Sequence, residues 1–161
     1  WENCTLRKWL NDSFYSSAFD ASEQGRIVEV TNDNPDSYVL RNELVHVGGT
    51  RWAQYGATGG NATSDHVFLL SYEEALDYFA SDEDRATAPT AYASDQGVWF
   101  SDGVHIWFWW WLRSPGSYLD EALGVYDNGE VSDFSVYSGI EGVDEGAVRP
   151  ALWVMDSFYG D

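Results

Sequence analysis

Leu6, Trp9, Leu10 and Phe14 recur at helical spacing, with Arg7, Lys8, Asn11 and Asp12 on the opposite face, and this pattern predicts an amphipathic helix from Asn3 to Ala18. A second helical turn is predicted from Asp20 to Gly25, closed by the glycine. Arg26-Ile27-Val28-Glu29-Val30-Thr31 is β-branched and alternating, so it reads as a strand. Asp65-His66-Val67-Phe68-Leu69-Leu70 reads as a buried strand. Ser71 and Glu74 then form a capping-box pattern that starts a helix carrying Ala75, Leu76 and Phe79 inward.

Between these patterned stretches the sequence is broken. From Asn32 to Ser64 it is rich in Asn, Asp, Gly and Thr, with Gly48-Gly49 and Gly59-Gly60 as breakers. Only Tyr38-Val39-Leu40 and Glu43-Leu44-Val45-His46-Val47 are short strand candidates there. An acidic turn at Asp82-Glu83-Asp84, then Arg85 and a loop broken by Pro89, follow the capped helix. The last third is strand-like. Val98-Trp99-Phe100 and His105 through Leu112 are aromatic β candidates, and Ala151 to Met155 supplies a final strand. Asp127-Asn128-Gly129 is a hairpin signal between Leu123-Gly124-Val125-Tyr126 and Glu130-Val131-Ser132. Helices in the first half and antiparallel strands in the second predict a single α+β domain over residues 1–161, with two helices packed on a small antiparallel sheet and long irregular loops.

One region departs from this alternation of core and loop. Trp109-Trp110-Trp111-Leu112-Arg113-Ser114-Pro115-Gly116 and Val148-Arg149-Pro150-Ala151-Leu152-Trp153 have the marks of tightly packed structure. Between Arg113 and Arg149 there is no Lys, Arg, His or Trp. Asp120, Glu121, Asp127, Glu130, Asp133, Glu141, Asp144 and Glu145 are instead interspersed with Tyr118, Tyr126, Phe134 and Tyr137. A core rarely tolerates so many carboxylates, and a solvated loop rarely needs so many aromatics. Tyrosine gives large contact area at low entropy cost while small and acidic residues adapt around it, which is the make-up of a protein-binding surface.

Composition narrows the function further. A formal net charge of −19, from 27 acids against 8 bases, repels phosphate backbones and anionic leaflets and so argues against nucleic-acid or direct membrane binding. The same acidity is a solubility device, an adaptation to salt, or an attraction for basic partners. Nine Trp, ten Tyr and eight Phe leave aromatics for the surface after the core is filled. Cys4 is the only cysteine, which rules out an internal disulfide, a paired-cysteine redox centre and a multi-cysteine zinc cluster. The chain opens at Trp1 with no recognisable signal peptide or membrane span, and is consistent with a fragment of a longer protein.

Catalytic patterns are lacking. His46, His66 and His105 are isolated, without Asp, Glu or His at metal-like helical spacing, and read as structural or surface residues. There is no phosphate-binding glycine loop, nucleophile elbow or zincin motif. Asn34-Pro35-Asp36 is read as an ordinary turn rather than as part of a sugar-coordinating calcium loop. The expectation is a non-enzymatic protein with no cofactor and no metal.

The framing motifs, together with Leu6-Arg7-Lys8-Trp9-Leu10-Asn11 and Val67-Phe68-Leu69-Leu70-Ser71-Tyr72-Glu73-Glu74-Ala75, resemble an uncharacterised bacterial domain family with a C-type-lectin-like fold. The resemblance runs over nearly the whole chain. Within it, residues 111–152 look like the variable segment of proteins diversified by retroelements, in which template adenines are copied with errors while the flanking scaffold stays fixed. The absence of Trp, Met, Lys and Gln from Ser117 to Gly146 agrees with randomised AAC codons, whereas Glu121, Glu130, Glu141 and Glu145 need another origin. The resemblance implies a ligand-binding domain displayed on a virion or cell surface. Formylglycine-generating enzymes share the broad fold but depend on a cysteine pair, and a calcium-dependent lectin needs disulfides and a second coordinating motif; this chain has neither.

The expected ligand is macromolecular, a protein first of all. Its expected contacts are Tyr118, Leu119, Asp120, Tyr126, Asp127, Asp133, Phe134, Tyr137, Ile140, Glu141, Val143 and Asp144. Strand alternation sends Leu123, Val125 and Val131 inward and Gly124, Tyr126, Glu130 and Ser132 outward. Trp110, Trp111, Arg113, Pro115, Arg149, Pro150 and Leu152 are the expected scaffold, with the two arginines as ion-paired or hydrogen-bonded supports rather than ligand contacts.

Overall fold

In the computed structural model, which describes residues 1–36, 57–98, 108–117, 120–135 and 146–156, the amphipathic N-terminal segment is helical but not uniformly so. An α-helical turn, α1 (Thr5–Trp9), runs into a π-helical turn at Leu10–Phe14 and then into α2 (Tyr15–Ala18). The π turn carries Asn11, whose amide is bonded like a strand residue to the neighbouring chain segment. Its Nδ2 donates to the Val67 carbonyl at 2.8 Å, and its Oδ1 accepts from the Val67 amide at 3.2 Å and the His66 amide at 2.7 Å. A π turn of this kind is a local accommodation that helices make where a side chain has a specific role. The next turn, α3 (Ala21–Gln24), has a capping box formed by Asp20 and Glu23. Gly25 ends it in the right-handed region, at φ −66°, so the closure does not use glycine's left-handed freedom.

The stretch predicted as one strand from Arg26 to Thr31 is split. β1 (Ile27–Val28) pairs with β7 (Trp153–Val154), whereas β2 (Val30–Asn32) pairs with β3 (Thr63–Asp65), both antiparallel. The third sheet has the order β4 (Trp109–Pro115), β5 (Glu121–Tyr126), β6 (Val131–Ser135), also antiparallel. The described residues therefore form an α+β domain with three small sheets rather than one.

Residues 67–70 join these parts. They are not a regular strand, contrary to expectation, although Phe68 makes an isolated antiparallel bridge to Ala151 and the Leu70 carbonyl accepts from the Arg113 amide at 2.9 Å. Their side chains still alternate. Phe68 and Leu70 enter a core with Ala75, Phe108, Trp110, Leu112, Leu123, Val125 and Ala147, while Val67 and Leu69 enter a second core with Leu10, flanked by Leu6, Phe14 and Trp111.

Beside these cores Asp65 is buried, its side chain fully, and it collects donors from several parts of the chain. Arg7 Nε lies at 2.6 Å, Thr63 Oγ1 at 2.7 Å, Asn32 Nδ2 at 3.2 Å, and Asn11 Nδ2 and Trp1 Nε1 each at 3.3 Å. A carboxylate so placed tolerates burial because its lone pairs are met.

The second capped helix, α4 (Tyr72–Asp77), starts as expected: Ser71 Oγ accepts from the Glu74 amide at 3.2 Å and Glu74 Oε2 accepts from the Ser71 amide at 2.9 Å. Ala75 is buried and Phe79 packs against the first core, but Leu76 is 40% exposed and does not face inward. The acidic turn is a short helix, α5 (Asp82–Arg85), and the segment after Pro89 holds a further helix, α6 (Ala91–Asp95), that hydrophobic periodicity does not reveal. Val98 is not in a strand; the rest of that candidate, the His105–Trp107 part of the next, and the candidates within residues 38–47 lie outside the described residues. Among the described residues no helix is long and apolar enough to cross a membrane.

Candidate binding face

The three tryptophans of β4 follow strand alternation. Trp110 and Leu112 enter the first core, whereas Trp109 and Trp111 point to the other side of the sheet, where their rings meet edge-on with centroids 4.3 Å apart. After Trp111 the strand shifts register against β5, and pairing resumes only at Pro115 opposite Ala122. Within the shifted stretch the Arg113 amide donates to Leu70, so β4 exchanges one neighbour for another.

The downstream arm of the frame returns beside this strand. Ala147 donates to the Trp109 carbonyl at 2.8 Å and accepts from the Trp111 amide at 3.0 Å, forming a parallel bridge with Trp110. Gly146 sits against the two rings; a β-carbon there would overlap Trp109 and come within 2.7 Å of Trp111 Nε1. The ends of the acidic segment are thus fastened to each other.

Arg113 supports this frame from below. Buried at 6% exposure, it pairs with both oxygens of Glu74, Nη2 lying 2.8 Å from Oε1 and Nη1 contacting Oε2. Nη1 also donates to Leu69 O at 2.7 Å, and Nη2 and Nε to Asp33 O at 3.1 and 3.3 Å. Burial is the largest influence on the Glu74 carboxyl and raises its pKa. The hydrogen bonds from Arg113 and from the Ser71 amide outweigh it together, so the net shift is downward.

Arg149 is placed differently. Its guanidinium carbon lies 4.9 Å from the Trp110 ring centre and 5.0 Å from that of Phe79, and Nη1 donates to the Arg85 carbonyl at 3.2 Å. Among the described residues no carboxylate lies within ion-pair distance of it. Burial lowers its pKa.

The hairpin between the arms is where the signal Asp127-Asn128-Gly129 puts it. Gly129 takes φ +85°, its amide donates to Tyr126 O at 2.9 Å, and Asn128 Oδ1 accepts from the Glu130 amide at 3.0 Å. The tip is not free. Buried Arg85 donates from Nε to the Gly129 carbonyl at 3.0 Å and is ion-paired to Asp82, and a β-carbon on Gly129 would run into the Asp82 backbone.

Leu123 and Val125 are buried and Val131 packs beside them, as alternation predicts. Gly124 lies on the outward face, as alternation predicts, but is buried there. It stands opposite Trp111 in the register, where a large ring beside a residue without a side chain leaves little of it open.

The expected ligand contacts are distributed as follows. Asp120 is exposed, and Tyr126 and Asp127 are half-buried at the hairpin turn. Asp133 braces the frame from within, since its Oδ1 accepts from the Ser117 amide and its Oδ2 from the Ser117 hydroxyl, each at 2.8 Å. Tyr118, Leu119, Tyr137, Ile140, Glu141, Val143 and Asp144, and the side chain of Phe134, lie outside the described residues. In the scaffold set Trp110 is buried, Trp111, Pro115 and Leu152 are half-buried, and Pro150 is exposed.

Tyr126, Glu130, Val131 and Ser132 line a groove of about 340 Å³ with Tyr72, Leu76, Asp82 and Arg85. The α4 residues on this groove were not legible as part of a site, and only the unexpected exposure of Leu76 marks them. His66 packs on Tyr15, with ring centres 4.7 Å apart, while His46 and His105 lie outside the described residues. Among the described residues no cluster of His, Cys, Asp or Glu could hold a metal ion.

The described architecture is that of an α+β domain with a braced frame around an acidic, tyrosine-bearing hairpin. The chain belongs to the family described as a domain of unknown function, DUF6273, whose pattern matches residues 1–156. No curated protein and no solved structure matches it.

Proposed function

We propose that this domain is a non-enzymatic, ligand-binding display module with a C-type-lectin-like fold, whose segment 111–152 varies through retroelement mutagenesis and contacts a macromolecular partner, a protein. The observation that carries the reading is the mutual hydrogen bonding of the two arms through Trp109, Trp111 and Ala147. A frame closed on itself keeps its shape while most side chains between its arms change, Asp133 and Gly129 excepted. Arg113 and Arg85 strengthen the argument, because their bonds to the segment and to its surroundings fall mostly on backbone atoms, which survive a change of side chain.

The partner contacts would centre on the groove between the hairpin and α4. Tyr126, Tyr72 and Leu76 offer apolar area, and Glu130 offers negative charge at its rim, where Asp82 is paired with Arg85. Aromatic anchors give affinity, and rim acids select partners with positive patches and speed encounter.

The test is a binding screen of the intact domain beside a version with the outward residues of the segment scrambled. Partners bound only by the intact domain support the reading. For such a partner, Tyr126→Ala should weaken binding by about 1–3 kcal/mol, and Asp120→Lys should change mainly the on-rate and its salt dependence. Partners retained equally by both versions, or a turnover abolished by a chelator, would overturn it.

A further inference from the structure

We propose a second site, separate from the hairpin face: Arg149, seated on the Trp110 ring, binds a small organic carboxylate with an apolar body, in the cavity between residues 87–93 and the returning arm at residues 147–150. The cavity measures about 220 Å³. That is ample for several waters, yet smaller than the roughly 300–1,000 Å³ of drug-sized pockets, so it suits a metabolite-sized molecule and excludes a folded partner.

One cation there has no partner of opposite charge among the described residues. Arg149 has five N–H groups available in principle, but among the described residues its guanidinium makes one hydrogen bond, to a carbonyl. In a chain of net charge −19 an arginine with no carboxylate beside it among the described residues is held there by local structure. The Trp110 and Phe79 rings hold it by flanking the guanidinium. Ring faces hold a cation in place while leaving its N–H edge unsatisfied. Trp110, which lines the same cavity, is 1% exposed, and its Nε1 has no hydrogen-bond partner among the described residues. The Trp110 ring thus contributes its face to Arg149 and its edge to the cavity wall, and no hydrogen bond of its own is needed. The Thr90 hydroxyl accepts from the Ala93 amide at 3.1 Å and keeps its own proton to donate.

These groups select the ligand class. All the unsatisfied groups are donors, so the ligand must bring acceptors. A planar carboxylate matches the guanidinium fork, and it carries the single charge that one arginine can neutralise. A phosphate dianion would leave excess charge against the negative field of the whole domain. Pro89, Ala93, Phe108, Ala147, Val148 and Pro150 wall the remaining space, which calls for an apolar body behind the carboxylate.

The test is titration of the full chain with acetate, butyrate and benzoate at constant ionic strength, beside the neutral amides butyramide and benzamide. Binding is followed by calorimetry and by the Trp110 indole N–H resonance in NMR. At least one carboxylate is expected to bind saturably at millimolar concentration or below and to move the indole resonance. Its amide should bind at least about tenfold more weakly, since the charge-assisted bonds are lost. Arg149→Gln should weaken binding by at least about tenfold. Ala93→Leu adds bulk to the cavity wall while leaving Arg149 itself unchanged, and should abolish binding while the thermal transition persists. If Arg149→Gln fails to fold, Ala93→Leu decides alone. No saturable binding by any of the three carboxylates, equal binding of acid and amide, or binding unchanged in Ala93→Leu would overturn the proposal.

Discussion

The guanidinium of Arg85 donates to the carbonyl oxygen of Gly129, 44 residues further along the chain, and so pins the tip of the hairpin to a short acidic helix. The turn needs glycine twice over, for φ +85° and for contact with the Asp82 backbone. Gly129→Ala should therefore cost on the order of 2 kcal/mol or more, combining left-handed backbone strain with overpacking. Thermal melts of this variant check the docking, and a neutral result would mean that the hairpin tip stands clear of Asp82.

The two framing arginines should separate sharply in a denaturant melt. Arg113→Met strands Glu74 and the carbonyls of Leu69 and Asp33, with an expected loss of about 3 kcal/mol. Lysine at Arg113 should rescue only part of this, because an ammonium cannot span both oxygens. Arg149→Met removes one carbonyl bond and two ring contacts, and should cost about 1 kcal/mol. Equal losses at the two positions would contradict their different surroundings.

Asp133 and Asp120 provide a second contrast. Asp133→Ala leaves the Ser117 amide and hydroxyl without their acceptor and should cost about 1–3 kcal/mol. Asp120 is exposed, and Asp120→Ala should stay within about 0.5 kcal/mol of the parent protein. Should Asp133→Ala prove neutral while abolishing partner binding, its carboxylate would belong to the binding face and not to the frame.

Acid should destabilise the domain through Glu74. Its carboxyl pKa is lowered on folding, so the stability it contributes is present above the unfolded value, about 4.3, and is lost as pH falls through the folded value. Stability measured against pH below about 5 should accordingly fall less steeply in Glu74→Gln than in the parent. Parallel curves would show that Glu74 does not sense folding.

Much of this fold was legible where a local rule is sufficient. The helical turn after Asp20, the capping box at Ser71, the hairpin at Asn128-Gly129 and the tryptophan strand each depend on residues within a few positions of one another. What was not legible depends on distant neighbours. Residues 67–70 look like a strand in periodicity, but they are divided between two cores and bonded to Ala151, Arg113 and Asn11, which no local window contains. Arg85 reads as a lone base after an acidic run, and only its bond to Gly129 gives it a role. Asp133 carries the same letter as the exposed acids around it, and the burial of Gly124 on the outward face depends on the size of its cross-strand neighbour Trp111.

The hydrogen bonds joining Trp109 and Trp111 to Ala147 also bear on how long the intervening chain can be. Once its two ends are fastened, that chain is a closed loop, and the entropy of closing a flexible loop rises only with the logarithm of its length, by about 0.6 kcal/mol for each doubling. Lengthening the chain between Trp111 and Ala147 should thus add little closure cost. Under the proposed function, changes of length would alter the reach of the binding face as codon changes alter its chemistry.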